Sequence, residues 1–395
     1  MKQKSINSLL NRKKETEKTY ILALIGDLGG SAQYRMIQPL IEVAENNQDR
    51  FEIQVAGALK HYDIDFYDIF YLQRQYNPKI YQNLVVLKEL KPEIKIICEI
   101  DDYLFANQVA KTSPASQTYN NKNVQGMIKR FIALADVVVV STEFLGNEIK
   151  KLKLNDSVVV CPNYLPEEIF AEDSYSGISR PADEFRIVWA GSSTHYDDLQ
   201  QMVKGVIDFI ADHEDSKLIV MGQDMEIFRE IIPKQFEYYG FVKFDLYPRL
   251  LKSFKADVAI MPLIDNPFNR AKSDVKFIEM AYNKYLTIAD NVGPYKRTIE
   301  HKKTGLLVNK FIEWKKHLNK VYNVWSEGSE EEKLNIREMV MNAHKYVINE
   351  RLIKKGYKKF EEAIELAMKV KPLKPSMKAY QKRKVFEKQQ TKSKS

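Results

Sequence analysis

Cysteine is scarce: Cys98 and Cys161 are the only two in 395 residues. Each lies in or beside an apolar, strand-like run, which reads as a reduced core residue of a cytosolic protein. The six histidines, His61, His195, His213, His301, His317 and His344, are scattered, so metal-ligand spacing is missing and no metal site is expected. No apolar run approaches the ~18 residues of a membrane span. At the N-terminus Leu9 and Leu10 give way at once to Asn11 and Arg12, so a signal-peptide core is lacking too. Nothing points to export; a cytoplasmic location is expected.

Net charge is also lacking where it matters. The formal +8 is concentrated at the ends: residues 371–395 carry nine Lys or Arg against one Glu, and residues 1–18 carry six basic side chains against two acidic ones. The body, 19–370, is left at −4. Basic ends of this kind are solvated, disordered extensions, or they attach to an anionic surface such as the inner face of a membrane. The acidic body argues against nucleic acid as the partner.

What is present is α/β alternation. Thr19 to Ile25, Phe51 to Ala58, Tyr67 to Leu72, Ile94 to Ile100, Val137 to Val140 and Ser157 to Val160 read as buried strands separated by helical patterns. GDLGGSAQYR follows the first strand. Gly26, Gly29 and Gly30 permit a tight turn, with a helix from about Tyr34 to Glu45 behind them, although the spacing is not G-x-G-x-x-G. The fourth strand delivers Asp101 and Asp102 at its end. Pro166, a Ser/Gly/Asp run and Pro181 interrupt the alternation over 164–184, which reads as a linker. A second series then begins with Phe185 to Ala190, whose loop, Gly191 to Asp198 (GSSTHYDD), opens a helix to about Ala211. Lys217 to Met221, Tyr239 to Phe244, Ala256 to Met261, Tyr285 to Ala289 and Gly305 to Val308 continue it as extended segments.

The fold class expected is α/β, two Rossmann-like domains facing across a cleft. A basic extension (1–18), first domain (19–163), linker (164–184), second domain (185–325), C-terminal helices (326–370) and a basic disordered tail (371–395) make up the chain.

The stretch Met261 to Ala281, MPLIDNPFNRAKSDVKFIEMA, concentrates the chemistry. Pro262 ends a strand, Asp265, Asn266 and Pro267 mark a turn, and Ser273 can cap a helix carrying Lys276 and Glu279. A strand end opening into a helix N-terminus suits an anion. The bland alternative is a solvated Lys276–Glu279 pair worth ~0–1 kcal/mol.

WAGSSTHYDDL, the MPL-to-Glu279 segment and HKKTGLLV together resemble the GT-B-fold retaining glycosyltransferases called glycosyl transferase group 1, or family four. The likeness is strongest from about Phe185 to Trp325, while GDLGGSAQYR and EIDDYL resemble a bacterial and phage subgroup. The resemblance implies sugar transfer from a nucleotide sugar to an acceptor hydroxyl with retained configuration, as in cell-envelope or other glycan synthesis. It implies no metal and no cofactor, the nucleotide sugar being a substrate, and a glycan, lipid-linked or protein acceptor. By the same likeness Glu279 holds the donor ribose, and Lys272, Lys276 and Arg270 face the diphosphate. Gly29, Gly30, Gly191, Ser192 and His195 surround the donor, and Asp101 or Asp102 stands across the cleft near the acceptor or sugar, Asp102 being the candidate for catalysis. The first glutamate of the family's E-x7-E motif falls on Ala271, so the contacts to the transferred sugar either differ or come from Asp265 or Asn269. Lys284 and Leu286 replace the small residue and proline before the last strand, and the first-domain histidine has no counterpart. Two other readings fit the same residues: a phage-type transferase acting on DNA, and a noncatalytic GT-B-like partner protein. Sugar-nucleotide epimerisation with Asp101, Asp102 and His195 as acid or base is a further one.

Overall fold

The computed structural model describes residues 17–59, 66–106, 109, 111–171 and 183–371; the basic ends and most of the proposed linker lie outside the described residues. Largely apolar runs of three to seven residues become the strands of two six-stranded parallel sheets. In the first, β1 (Thr19–Leu24), β2 (Phe51–Ala56), β3 (Ile69–Gln73), β4 (Lys95–Ile100), β5 (Val137–Val140) and β6 (Val158–Val160) stand in the order β2-β1-β3-β4-β5-β6. In the second, β7 (Phe185–Gly191), β8 (Ser216–Gly222), β9 (Phe236–Tyr239), β10 (Val258–Met261), β11 (Leu286–Asp290) and β12 (Leu306–Val308) stand in the order β12-β11-β10-β7-β8-β9. Their central strands are buried along nearly their whole length rather than on alternate residues, because helices cover both faces and leave no solvated side to demand alternation.

Local chemistry fixes the helix starts. Asn77 caps Pro78–Leu90 by accepting from the Lys79 N–H at 2.9 Å, and proline occupies the first turn. Ser329 and Glu332 form a reciprocal capping box that opens Glu330–Glu350. Among the described residues no helix is long and apolar enough to cross a membrane. Both cysteines are buried free thiols.

The last helix, Ile353–Lys369, packs on the first sheet, where Phe360, Ala363, Ile364 and Ala367 share a core with Ile21, Leu40, Val43 and Cys161. Arg50 pins its outer face through Glu361 and Glu365 at 2.7 and 2.6 Å. Glu330–Glu350 stays on the second domain, its Ala343 and Val347 packed with Phe277, Ile278 and Ala281. The outgoing and returning crossings therefore run side by side: the Leu165 N–H donates to the Arg351 carbonyl at 2.8 Å, and the Ile353 N–H to the Leu165 carbonyl at 2.9 Å.

Three expectations change. The extended segment placed at Tyr239 to Phe244 lies earlier, at Phe236–Tyr239, where it pairs with Leu218 to Met221; residues 240–246 form a loop. The helix expected to run unbroken to Ala211 is split into a 3-10 turn, Ser193–His195, and two helices, Tyr196–Gln200 and Val203–Asp212. Asp198 explains the first piece, because its carboxylate is drawn onto His195 and onto the Ile264 N–H rather than left in solvent. Ser273 does not cap the key helix. That helix is Val275–Tyr282 with Asp274 at the cap position, and the Ser273 hydroxyl accepts from Asn163 at 2.8 Å instead.

Candidate functional site

In an open parallel sheet, ligands sit outside the carboxyl ends of the strands where the strand order reverses. The first sheet reverses between β1 and β3, and the second between β7 and β10. Residues just beyond the ends of β1, β7 and β10, with Asp101 and Asp102 beyond β4, line one cleft of about 440 Å³ between the two domains.

The first-domain wall is the glycine loop. Its helix begins as Gly30–Ala32, passes through a π-helical turn, Gln33–Ile37, and continues as Gln38–Asn46. A π turn inserts an extra residue and re-aims the side chains around it. Here it buries Arg35, which donates to Glu99 at 2.7 Å, to the Cys161 carbonyl at 2.5 Å and to Asn163 Oδ1 at 2.9 Å. Beside it Arg74 grips Asp101 with two nitrogens, and Ser31 Oγ donates to the same carboxylate at 2.6 Å. Burial opposes ionisation of Asp101, but Arg74 outweighs it and holds the carboxyl below its usual range. Asp102 is engaged only at 3.3 Å by Arg74 and keeps 26% of its side chain exposed, in the cleft.

The second-domain wall carries opposite charge. Lys272 precedes the helix Val275–Tyr282 and lies over the Phe268 ring at 4.8 Å; Lys276, in its first turn, lies over Trp189 at 5.0 Å. Burial, reinforced by Lys272, lowers the Lys276 ammonium to about 7 despite Asp198 and Glu279 nearby. Glu279, one turn on, is pushed up to about 7 by burial, although hydroxyls of Tyr34 and Tyr247 donate to it. His195 Nδ1 lies 2.8 Å from Asp198 Oδ2. Burial and the two lysines lower its pKa to about 3, so the imidazole is neutral with its proton on Nδ1 toward the carboxylate, leaving Nε2 as acceptor. Gly191 makes room for this wall: a Cβ there would lie 2.7 Å from Lys276 Nζ and 2.7 Å from the Trp189 ring.

Of the residues singled out from sequence, Gly29, Gly30, Asp102, Gly191, Ser192, His195, Lys272, Lys276 and Glu279 line this one cleft. Asn269 and Arg270 are not among its lining residues. The short helix Pro267–Ala271 turns the Asn269 amide onto Asp198 Oδ1 at 2.8 Å, under the floor, and sends Arg270 outward to pair with Asp265 at 2.6 Å. Asp265 is thereby held away as well, so neither candidate for the missing first glutamate reaches the cleft. Tyr34, Tyr247 and Ser31 line the cleft and were not singled out; their partners lie in other elements or the opposite domain, beyond the reach of spacing.

Two Rossmann-like domains whose switch points face one another define the GT-B fold. No protein-family model matches the chain, and no curated protein does. Solved structures do. A glycosyltransferase from Rickettsia africae ESF-5 superposes with a TM-score of 0.59 at 14% identity, over 90% of this chain and 100% of that one. Sucrose-phosphate synthase from Thermosynechococcus elongatus gives 0.62 at 14% identity, over 88% and 98%. Anabaena Alr3699/HepE, solved in complex with UDP and glucose, gives 0.56 at 12% identity, over 88% and 99%. The likeness is one of fold.

Proposed function

We propose that this chain is a glycosyltransferase that moves a sugar from a nucleotide-sugar donor to an acceptor hydroxyl. The observation that carries the reading is the second-domain wall: a buried lysine, Lys272, a half-buried one, Lys276, and one buried carboxylate at a strand-order reversal, facing a glycine loop across the cleft. A nucleotide sugar offers the matching groups, a diphosphate for the cations and a vicinal diol for the carboxylate. As the glycosidic bond breaks, negative charge grows on the leaving nucleoside diphosphate, and Lys272 and Lys276 are preplaced to stabilise it in a water-poor site. These cations serve in place of a metal in this reading. Neutral His195 contributes an acceptor nitrogen to the sugar or a water, and Asp102 orients the acceptor hydroxyl from the opposite wall. Retention of configuration, a hexosyl donor and a glycan, lipid-linked or protein acceptor belong to the same proposal and rest on the family resemblance. Anabaena HepE, of the same fold, is solved with UDP-glucose, which supports UDP sugars as the first to try.

The test is a thermal-shift panel of UDP, GDP, ADP, CMP and dTDP sugars on the wild type and on Glu279→Ala. A ligand that binds only the native state raises the melting temperature. One nucleotide family is expected to stabilise the wild type and to lose that effect in the variant. A folded wild type that responds to none of them overturns the reading.

A further inference from the structure

Glu279 is already occupied. Its Oε1 accepts from the Tyr34 hydroxyl at 2.5 Å and its Oε2 from the Tyr247 hydroxyl at 2.9 Å. Tyr247 and Glu279 belong to the same domain. Tyr34 comes from the other one, on the π turn of the glycine-loop helix, so its bond crosses the cleft. The contact is closed off: Tyr34 is 6% exposed, Glu279 is 4% exposed, and the Tyr34 and Phe244 rings stand nearly perpendicular with centroids 5.2 Å apart. Phe244 lies in the second domain's cleft loop, so Tyr34 is seated against both the carboxylate and the apolar rim of that domain.

We propose that Tyr34 stands in for a ribose hydroxyl on Glu279, and that a nucleotide binds by displacing it. The inference rests on the reading that Glu279 receives the donor's diol. A phenol O–H and a sugar O–H are equivalent donors to a carboxylate oxygen, and at 4% exposure Glu279 has no open approach for a third donor while Tyr34 remains. Exchange of one hydroxyl for the other leaves Oε1 satisfied in both states, so the unfavourable step of exposing a bare carboxylate oxygen is avoided. The free energy of the Tyr34 bond is then subtracted from nucleotide affinity, since the occupied form is not binding-competent. Tyr34 thus sets the affinity and couples donor binding to separation of the two walls.

The experiment is calorimetric titration of the full chain with UDP, GDP and ADP, in the wild type, Tyr34→Phe, Tyr247→Phe and Glu279→Ala. Phenylalanine keeps the ring against Phe244 and removes only the hydroxyl. Tyr34→Phe is expected to bind the preferred diphosphate roughly five- to tenfold more tightly, the size of one net hydrogen bond. Tyr247→Phe, which removes no cross-cleft bond, is expected to bind no more tightly than the wild type. Unchanged or weaker binding by Tyr34→Phe, or equal tightening by both variants, overturns the stand-in role while loss of binding in Glu279→Ala still upholds the donor site. Binding that Glu279→Ala leaves intact, or no binding by any protein, removes the donor-site reading and this inference with it. The wild type supplies an independent readout through tyrosines labelled at the ring carbon that bears the hydroxyl. Saturating nucleotide is expected to shift the Tyr34 resonance, and an unmoved resonance in the saturated protein overturns the displacement.

Discussion

Lys276 and Glu279 stand one helical turn apart in the cleft wall, and burial brings both to about 7, the ammonium from above and the carboxyl from below. A bound nucleotide sugar acts on the two differently. Its diphosphate favours the ammonium and raises the Lys276 pKa, whereas its hydroxyl takes the place of the Tyr34 hydroxyl on Glu279, one donor for another, and leaves that carboxyl near where it was. At pH 8 the lysine without ligand is mostly neutral, so binding takes up a proton at Lys276. At pH 6 the lysine is already charged and the uptake is small. Titration calorimetry in two buffers of different ionisation heat reads this directly, with a nucleotide sugar whose diphosphate does not itself titrate near neutrality. Uptake at pH 8 that shrinks toward pH 6 is expected, and Lys276→Met should abolish it. Binding at pH 8 with no proton uptake would sink the assignment.

The same burial makes Lys276 a local liability for the fold. Its folded-state pKa lies below the ordinary lysine value of 10.5, so the unfolded chain binds more protons between about 7 and 10.5 and stability rises with pH through that window. The penalty is present in full below pH 7. Lys276→Met removes it, and the variant is expected to be more stable than the wild type by a few kcal/mol at pH 6, at roughly 1.4 kcal/mol per pKa unit. The advantage should shrink toward pH 10. Urea denaturation at the two pH values checks this, and a variant less stable at pH 6 would show that the ammonium is held by favourable contacts.

Gly191 is needed for space at the end of β7. A methyl group there would press on Lys276 Nζ and on the Trp189 ring, both at 2.7 Å. The lysine end is flexible and can yield, whereas the fully buried indole cannot. Gly191→Ala is therefore expected to displace the ammonium and weaken nucleotide binding about tenfold or more, the size of one charge-assisted hydrogen bond. The stability loss should be about 1–3 kcal/mol, as for other overpacked sites. Affinity equal to wild type would show that Lys276 contributes nothing to the site.

The strands were the legible part of this chain. Val137 to Val140 is read from sequence and found at the same bounds, because a four-valine run buried on both faces has one stable conformation. The cleft residues Lys276 and Glu279 were legible for a related reason, since both lie within one turn of a strand–loop–helix unit whose geometry is local. Asn269 and Arg270 misled because sequence places them beside that unit but does not say which way a five-residue helix turns. Asp198 and Asp265, the partners that turn them, lie on other segments or on the solvent side. Tyr34 was invisible for the strongest version of this reason: its partner is 245 residues away, in the opposite domain.

Arg351 joins the two crossings between the domains to the start of the cleft helix. Its Nη1 and Nη2 donate to the two oxygens of Asp274 at 2.6 and 2.7 Å, while Nε and Nη2 donate to the Asn163 carbonyl at 3.2 and 2.8 Å. Asp274 stands immediately before the helix that carries Lys276 and Glu279, and Thr298 donates to it at 2.8 Å. Burial works against ionisation of Asp274, but Arg351 outweighs it and holds the carboxyl below its usual range. Breaking such a pair strands a buried charge, so Arg351→Ala is expected to lose about 3–5 kcal/mol of stability in urea denaturation. Arg351→Lys keeps the charge but replaces a planar fork by a point donor, and should fall between the two. In the double variant Arg351→Ala/Asp274→Ala no charge is stranded, so its loss should be smaller than the sum of the singles by at least 1 kcal/mol. Strict additivity would mean that the two side chains do not support one another. Nucleotide affinity separates a fold-only role from a positioning one: Arg351→Lys, still folded, should bind more weakly if the latch sets where Lys276 and Glu279 stand, and as well as the wild type if it does not.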